Sequence, residues 1–263
     1  MGISNAIRQV GVTAMEAVRQ AEQQSRVAAR RLALLEKVDY RLAETAAERE
    51  AIYRLRYRAY LKEGAIDANG QGIVTDRYDD LLNSWIFGVF YEGALSSSLR
   101  ITVASPQHTA CPSMDVFSDF LQPWLAEGKV IVDPTRFVAD PTSANRLPEL
   151  PYLTLRLAYV SCEYFNADIG LASVRTEHQA FYRRVMMRSI CASRPYPGLK
   201  KTFGLMEIDF PAMRDKLFAR YPFLRSTESE RRSLFERTSS VPNLTLNEVP
   251  SLAPIAPVGR HQP

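Results

Sequence analysis

Apolar residues recur at alternating four- and three-residue steps through Ile7, Ala14, Val18, Ala21, Ala28, Leu32 and Leu35, with Arg, Gln and Glu between them, which predicts a helix over residues 5–36. The seam is weak, with gaps at Gly11 and Ser25. It suits a helix packed on the body or on a second subunit, with peripheral contact to a membrane surface as the alternative. Val38 to Ala43 then alternates as a strand, and Thr45 with Glu48 forms a capping box that starts a second helix ending at Gly64. A polar loop with Asn69-Gly70 and Gly72 leads into an apolar strand, Trp85 to Tyr91, which Glu92-Gly93 turns into another strand, Leu95 to Val103.

The second half continues with a helix from Met114 to Ala126 between Pro112 and Gly128. A strand from Lys129 to Val138 follows, and Pro134 inside it implies a bulge or an edge. Next come a helix from Pro151 to Phe165, a strand from Leu171 to Thr176, a helix from Glu177 to Met187, a strand from Phe203 to Ile208 and a last helix from Pro211 to Tyr221. Pro242, Pro250, Pro254, Pro257 and Pro263 mark a weakly periodic stretch that predicts a disordered tail. The pattern divides the chain into a helix over 1–37, one domain over 38–238 and a Pro-rich tail over 239–263. Strand, helix, antiparallel strands, bulged strand, then alternating helix and strand describe an α/β sandwich on one mixed sheet.

Composition narrows the classes. A chain of 263 residues that is 46% hydrophobic buries one sizeable core. A net charge of +4 is too slight for a nucleic-acid footprint. Its distribution matters more, because residues 181–237 carry 13 Lys and Arg against 6 Asp and Glu, a local excess of +7. Cys111, Cys162 and Cys191 are odd in number and widely spaced, so they support neither a disulfide framework nor a zinc site. A reducing cytoplasm is expected, and no segment approaches the roughly 20 apolar residues of a membrane span.

Candidate chemistry lies in three charged runs separated by apolar segments: Leu55-Arg56-Tyr57-Arg58-Ala59-Tyr60, Asp76-Arg77-Tyr78-Asp79-Asp80, and Val132-Asp133-Pro134-Thr135-Arg136-Phe137. Arginines and carboxylates brought together by folding suit a zwitterionic amino acid. An amino acid's ammonium must lose a proton before its amine can react. Asp76, Asp79 and Asp133 are the candidate proton acceptors. Arg56, Arg100 and Arg136, with Tyr60, are the candidates to grip the substrate carboxylate or to hold the aspartates.

Over residues 38–210 these runs, with Leu99-Arg100 and Ser113-Met114-Asp115-Val116-Phe117, resemble the acyl-homoserine-lactone (autoinducer) synthases and, more closely, the N-acyl amino acid synthases that share their fold. The closer likeness rests on His178-Gln179-Ala180-Phe181-Tyr182-Arg183-Arg184 and Arg194-Pro195-Tyr196-Pro197-Gly198-Leu199-Lys200. The resemblance implies a three-layer α/β/α sandwich around one mixed, largely antiparallel sheet with a bulged, splayed central strand, the acyl-CoA N-acyltransferase-like fold. It also implies an acyltransferase domain over 38–238, in which a neutral amine meets a thioester carbonyl within about 3–3.5 Å and backbone N–H groups freed by a bulge near Pro134 face the thioester oxygen, so that no nucleophilic Ser or Cys is required. Two departures, Ile66 where the lactone synthases place Trp and Asp133-Pro134-Thr135 where they place a Glu-led run, touch the amino-donor pocket and weigh against S-adenosylmethionine as donor.

Acetyltransferases that use CoA carry a Gly-rich pyrophosphate turn after the bulged strand, and here that place reads Ala139-Asp140-Pro141-Thr142-Ser143-Ala144-Asn145-Arg146 without glycine. The expected donor is therefore an acyl carrier protein presenting its acyl group on phosphopantetheine, as a co-substrate with no bound cofactor and no metal. Arg183, Arg184 and Lys201 in the basic C-terminal third are its expected dock. The expected reaction acylates the α-amine of an amino acid with a fatty acyl chain. The alternatives are lactone synthesis from S-adenosylmethionine and a catalytically inactive relative that binds lipid or protein.

Overall fold

The Glu92-Gly93 pair, with φ of 49° and 83°, makes the tight turn whose twist joins β2 (Ser84–Tyr91) to β3 (Ala94–Ala104) as a hairpin. Around that hairpin the computed structural model, which describes residues 19, 22, 23 and 25–237, builds a seven-stranded sheet. Strand β1 (Val38–Leu42) flanks β2, and β4 (Ile131–Ala139), β5 (Ile169–Val174), β6 (Arg188–Pro195) and β7 (Thr202–Asp209) complete the order β1-β2-β3-β4-β5-β7-β6. Every neighbouring pair is antiparallel except β4 with β5.

Alternation along the strands makes two cores. Phe87, Val89, Leu99, Ile101 and Val132 face one way, onto α5 (Leu150–Tyr164) and the buried apolar residues of α7 (Phe210–Arg220) and α8 (Glu228–Phe235). Ala104, Ile131, Leu171 and Leu205 face the other way, onto Phe117, Leu121 and Leu125 of α3 (Met114–Ala126). On that second face α2 (Ala46–Lys62) lays Ile52 against Ile86, and Leu55 and Ala59 against Val138. The three layers anticipated from sequence are present. The capping box that starts α2 is present too, and Gly64, at φ 62°, follows its end. A helix over 25–35, α1, packs Leu34 and Leu35 on Leu147, Leu150 and Leu153. The rest of the expected 5–36 helix, apart from residues 19, 22, 23 and 36, and the 239–263 tail lie outside the described residues.

The central strand carries the feature that matters. Arg100 pairs with Thr135 and Ser98 with Val138, so β4 has one residue more than β3 across this step. The extra residue is taken up as a bulge, with Arg136 in the left-handed region at φ 55°. The pairing of β4 with β5 is confined to Ile131 with Ile169 and Val132 with Gly170, beyond which the two strands part.

Four elements depart from the sequence reading. The expected helix over 177–187 is a 3-10 turn at Thr176–His178 followed by the short α6 (Gln179–Arg184). Met186, at φ 68°, then swings the chain into β6. That edge strand has no alternation to read, because its register slips twice and most of its residues are at least half-exposed. Asp140 caps α4 (Pro141–Arg146), a stretch to which the sequence reading assigned no element. Helix α8 follows the helix expected to be last, and Thr227 caps it.

Candidate active site

Arg100 sits in the interior of β3 on the α2/α3 face and is 1% exposed. Such a charge must be paired there, because an uncompensated ion in the interior costs several kcal/mol. Its partners come from the turn at residues 76–80. Asp76 accepts the Tyr78 N–H at 2.9 Å, and its own N–H donates to Asp79 at 3.0 Å, so the turn holds both carboxylates in place. Arg100 Nη1 donates to Asp79 at 2.9 Å, Nη2 to Asp76 at 3.2 Å, and Nε to Thr135 Oγ1 at 3.1 Å.

Two more arginines complete the cluster. Arg56, fully shut off from solvent on α2, gives Nη1 to both oxygens of Asp79 at 2.9 Å. Its Nε and Nη2 have no hydrogen-bond acceptor among the described residues, and the guanidinium lies 5.1 Å from the Tyr53 ring. Arg136, placed by the bulge, reaches Asp76 with Nε at 3.0 Å and Nη2 at 2.6 Å. Its guanidinium is 5.6 Å from the ring of Tyr60. Folding thus joins Arg100 to residues of the three charged runs in a cluster of three cations and two anions. Of the two roles open to Arg56 and Arg100, the geometry gives both residues the holding of aspartates.

Burial alone pushes the Asp76 carboxyl up, but the hydrogen bonds and charges of Arg100 and Arg136 outweigh it and hold the group well below the carboxylate range. Asp76 is therefore an anchor and a poor base at neutral pH. A depressed folded-state pKa contributes stability that is present above the unfolded value of 3.8 and lost as pH falls below it. Asp76→Asn is expected to flatten the acid limb of the stability–pH curve, measured by urea denaturation between about pH 3 and 7. An unchanged acid limb would mean that Asp76 is not ion-paired in solution.

Asp133 is on the same face of the sheet and is wholly buried. It accepts the Ser113 N–H and the Ser113 hydroxyl, each at 2.8 Å, and the Ser113 hydroxyl is 2.9 Å from that of Ser173 on β5. Burial pushes the Asp133 carboxyl up, against the lowering effect of the Ser113 bonds and Arg100. Burial and the Asp133 charge together push the Cys111 thiol and the Tyr196 phenol well above their ordinary values. In contrast to Asp76, Asp133 sits in an environment that favours taking up a proton.

An open cleft of about 670 Å³ lies beside this cluster, between the 66–78 loop, the segment leading into α3 and the turn after β6. Asp76, Arg77, Asp115, Arg136 and Tyr196 line it, and so does Ile66. Arg56, Arg100, Asp79 and Asp133 are absent from its lining. Arg183, Arg184 and Lys201 are exposed on α6 and on the turn before β7, and none of the three forms an ion pair among the described residues. The basic face is narrower than the charge count implied, since Arg188, Arg194, Lys200, Arg214, Arg231 and Arg232 are each paired with a carboxylate.

Ser113, Ser173, Thr135 and Tyr196 were not singled out as site residues in the sequence. Ser113 opens a quoted motif, but its partnership with Asp133 spans 20 residues, and Ser173 has no local signature.

The family model described as "FeeM: N-acyl amino acid synthase FeeM" matches residues 51–209, a stretch that contains every residue of the cluster. The solved structure of FeeM, an N-acyl amino acid synthase from uncultured soil microbes, is 18% identical and superposes with a TM-score of 0.59 over 70% of this chain and 96% of that one. The two share a fold. Two further similar structures are a CoA-dependent acyl-homoserine lactone synthase, MesI, and an acyl-CoA N-acyltransferase from Pseudomonas aeruginosa. The first is 18% identical over 72% of this chain and 96% of that one, with a TM-score of 0.48. The second is 17% identical over 65% and 98%, with a TM-score of 0.45. No curated protein sequence matches.

Proposed function

The chain belongs to the FeeM family of N-acyl amino acid synthases and is an N-acyltransferase, and we propose that it moves a fatty acyl group from an acyl carrier protein to the α-amine of an amino acid in the cytoplasm. The amino acid occupies the cleft, with its carboxylate on Arg136, whose Nη1 Asp76 leaves free. Its amine faces the opening between β4 and β5, where the parted strands leave backbone N–H groups for the thioester oxygen. Asp133 takes the ammonium proton, the neutral amine attacks the thioester carbonyl, and collapse of the tetrahedral intermediate expels the phosphopantetheine thiolate, which leaves as the thiol with the proton that the nitrogen gives up as the amide forms.

The observation that carries the donor assignment is the start of α4. Where a CoA pyrophosphate would need free N–H groups, the Asp140 carboxylate already accepts those of Thr142 at 3.0 Å and Ser143 at 3.1 Å. Pro141 brings no N–H at all. An anion there repels a phosphate, so the donor is better held by protein contacts, and the unpaired Arg183, Arg184 and Lys201 suit an acidic partner.

The test compares acyl carrier protein and acyl-CoA as donors, with Arg183, Arg184 and Lys201 changed together to Glu. The triple variant is expected to raise KM for the carrier protein by roughly tenfold, with the amino-acid KM unchanged, and wild-type turnover should fall as salt shortens the roughly 8–10 Å screening length. Equal use of both donors, indifferent to salt and to the charge reversals, would replace the carrier protein with CoA. Release of methylthioadenosine from S-adenosylmethionine would identify a lactone synthase instead.

A further inference from the structure

Asp133 and Ser113 are both fully buried, so a substrate amine cannot touch either. Ser173 is half-buried on β5, beyond the last residue that pairs with β4, and so stands at the opening between the strands. We infer that Ser173 and Ser113 form a directed proton wire from that opening to Asp133, an inference that rests on the acyltransferase reading above.

Direction follows from counting hydrogens. An ionised carboxylate only accepts, so the single hydroxyl hydrogen of Ser113 must go to Asp133, 2.8 Å away. Ser113 can then only accept from Ser173 at 2.9 Å, and Ser173 must donate. The lone pairs of Ser173 face the ammonium. Ser113 is also the N-cap residue of α3, yet its side chain makes no capping bond to its own helix, and it is spent on Asp133 instead.

In the transfer, the N–H bond of the ammonium breaks and its proton goes to Ser173 Oγ. The Ser173 proton passes to Ser113 Oγ, and that of Ser113 to Asp133 Oδ1, leaving a neutral amine and a neutral carboxyl. No oxidant or other reactant is needed. The groups that face Asp133 are Ser113 and Cys111 from the start of α3, Arg100 from β3, and Tyr196 from the end of β6. Asp133 is the one carboxylate among them.

Ser173→Ala should lower kcat about 10- to 100-fold at neutral pH with the amino-acid KM unchanged, and Ser173→Thr, which keeps a hydroxyl, should restore it. The deficit should close toward about pH 10, where the free amino acid supplies neutral amine without a base. Normal kcat in Ser173→Ala, a deficit that persists undiminished at alkaline pH, or failure of threonine to rescue would each overturn the wire. A second measurement does not depend on turnover: infrared titration of the Asp133 carboxyl, identified by its loss in Asp133→Asn, should shift in Ser173→Ala. If the wild type transfers no acyl group while that shift is present, the function falls and the wire stands. Absence of the shift overturns the wire whether or not the protein is active.

Discussion

Asp79→Ala is expected to destabilise the protein by about 3–5 kcal/mol and to abolish acyl transfer, the largest stability effect of any single substitution in the charged cluster. Asp79 is 2% exposed and is, among the described residues, the single carboxylate partner of Arg56, which is fully buried, besides sharing Arg100 with Asp76. Its removal leaves the Arg56 guanidinium without an anion, in a site where two of its nitrogens already lack acceptors. It also frees the Asp76 N–H, so the turn that aims Asp76 at Arg136 loses a tie. Asp80→Ala is the control, because Asp80 is exposed and its pair with Arg49 at 2.7 Å should contribute no more than about 1 kcal/mol.

Urea denaturation of both variants measures the contrast, and a cycle with Arg56→Met separates pairing from burial. Asp79→Ala added to Arg56→Met should cost less than it does alone, since the stranded charge is then gone. Equal costs in both backgrounds would show that Asp79 does not hold Arg56.

The sequence displayed the frame of this cluster better than its wiring. The capping box at Thr45 and Glu48, the Glu92-Gly93 turn and the proline in β4 are local signals, set by residues within four positions of one another, and each marks a real feature. The bulge predicted at Pro134 lies two residues on, at Arg136, because proline still pairs across from Ile101 and the ladder breaks only after Thr135. Strand β6 was invisible for the opposite reason: it is an edge held by β7 alone, with no buried face to impose a period. Arg100 was legible as a charge among apolar strand residues, but its sharing between two aspartates was not, since they lie 21 and 24 residues away. Ser113 with Ser173, 60 residues apart, is beyond any spacing rule. The basic count of the C-terminal third misled in the same way, because net charge does not reveal which cations the fold neutralises.

Asp133→Asn is expected to lower kcat by about 10²- to 10⁴-fold, the usual contribution of a positioned general base, while leaving the fold intact. The asparagine fits: its carbonyl oxygen takes the Ser113 N–H and its amide donates to the Ser113 hydroxyl, replacing two bonds now 2.8 Å long. Stability should not suffer. Burial raises the Asp133 pKa above its ordinary 3.8, so the unfolded chain releases this proton more readily, and the folded state loses stability as pH rises through that window. Asparagine never ionises and escapes the loss, so Asp133→Asn at neutral pH should be as stable as the wild type or more so. A structural carboxylate would behave otherwise, since losing its charge would cost stability and activity together. Asp76→Asn provides the comparison, because Asp76 is held ionised by Arg100 and Arg136 and anchors the arginine proposed to bind the substrate. Its loss should raise the amino-acid KM more than it lowers kcat, whereas Asp133→Asn should do the reverse. Near-normal kcat in a well-folded Asp133→Asn protein would remove Asp133 as the proton acceptor, because the amine would then be deprotonated without it.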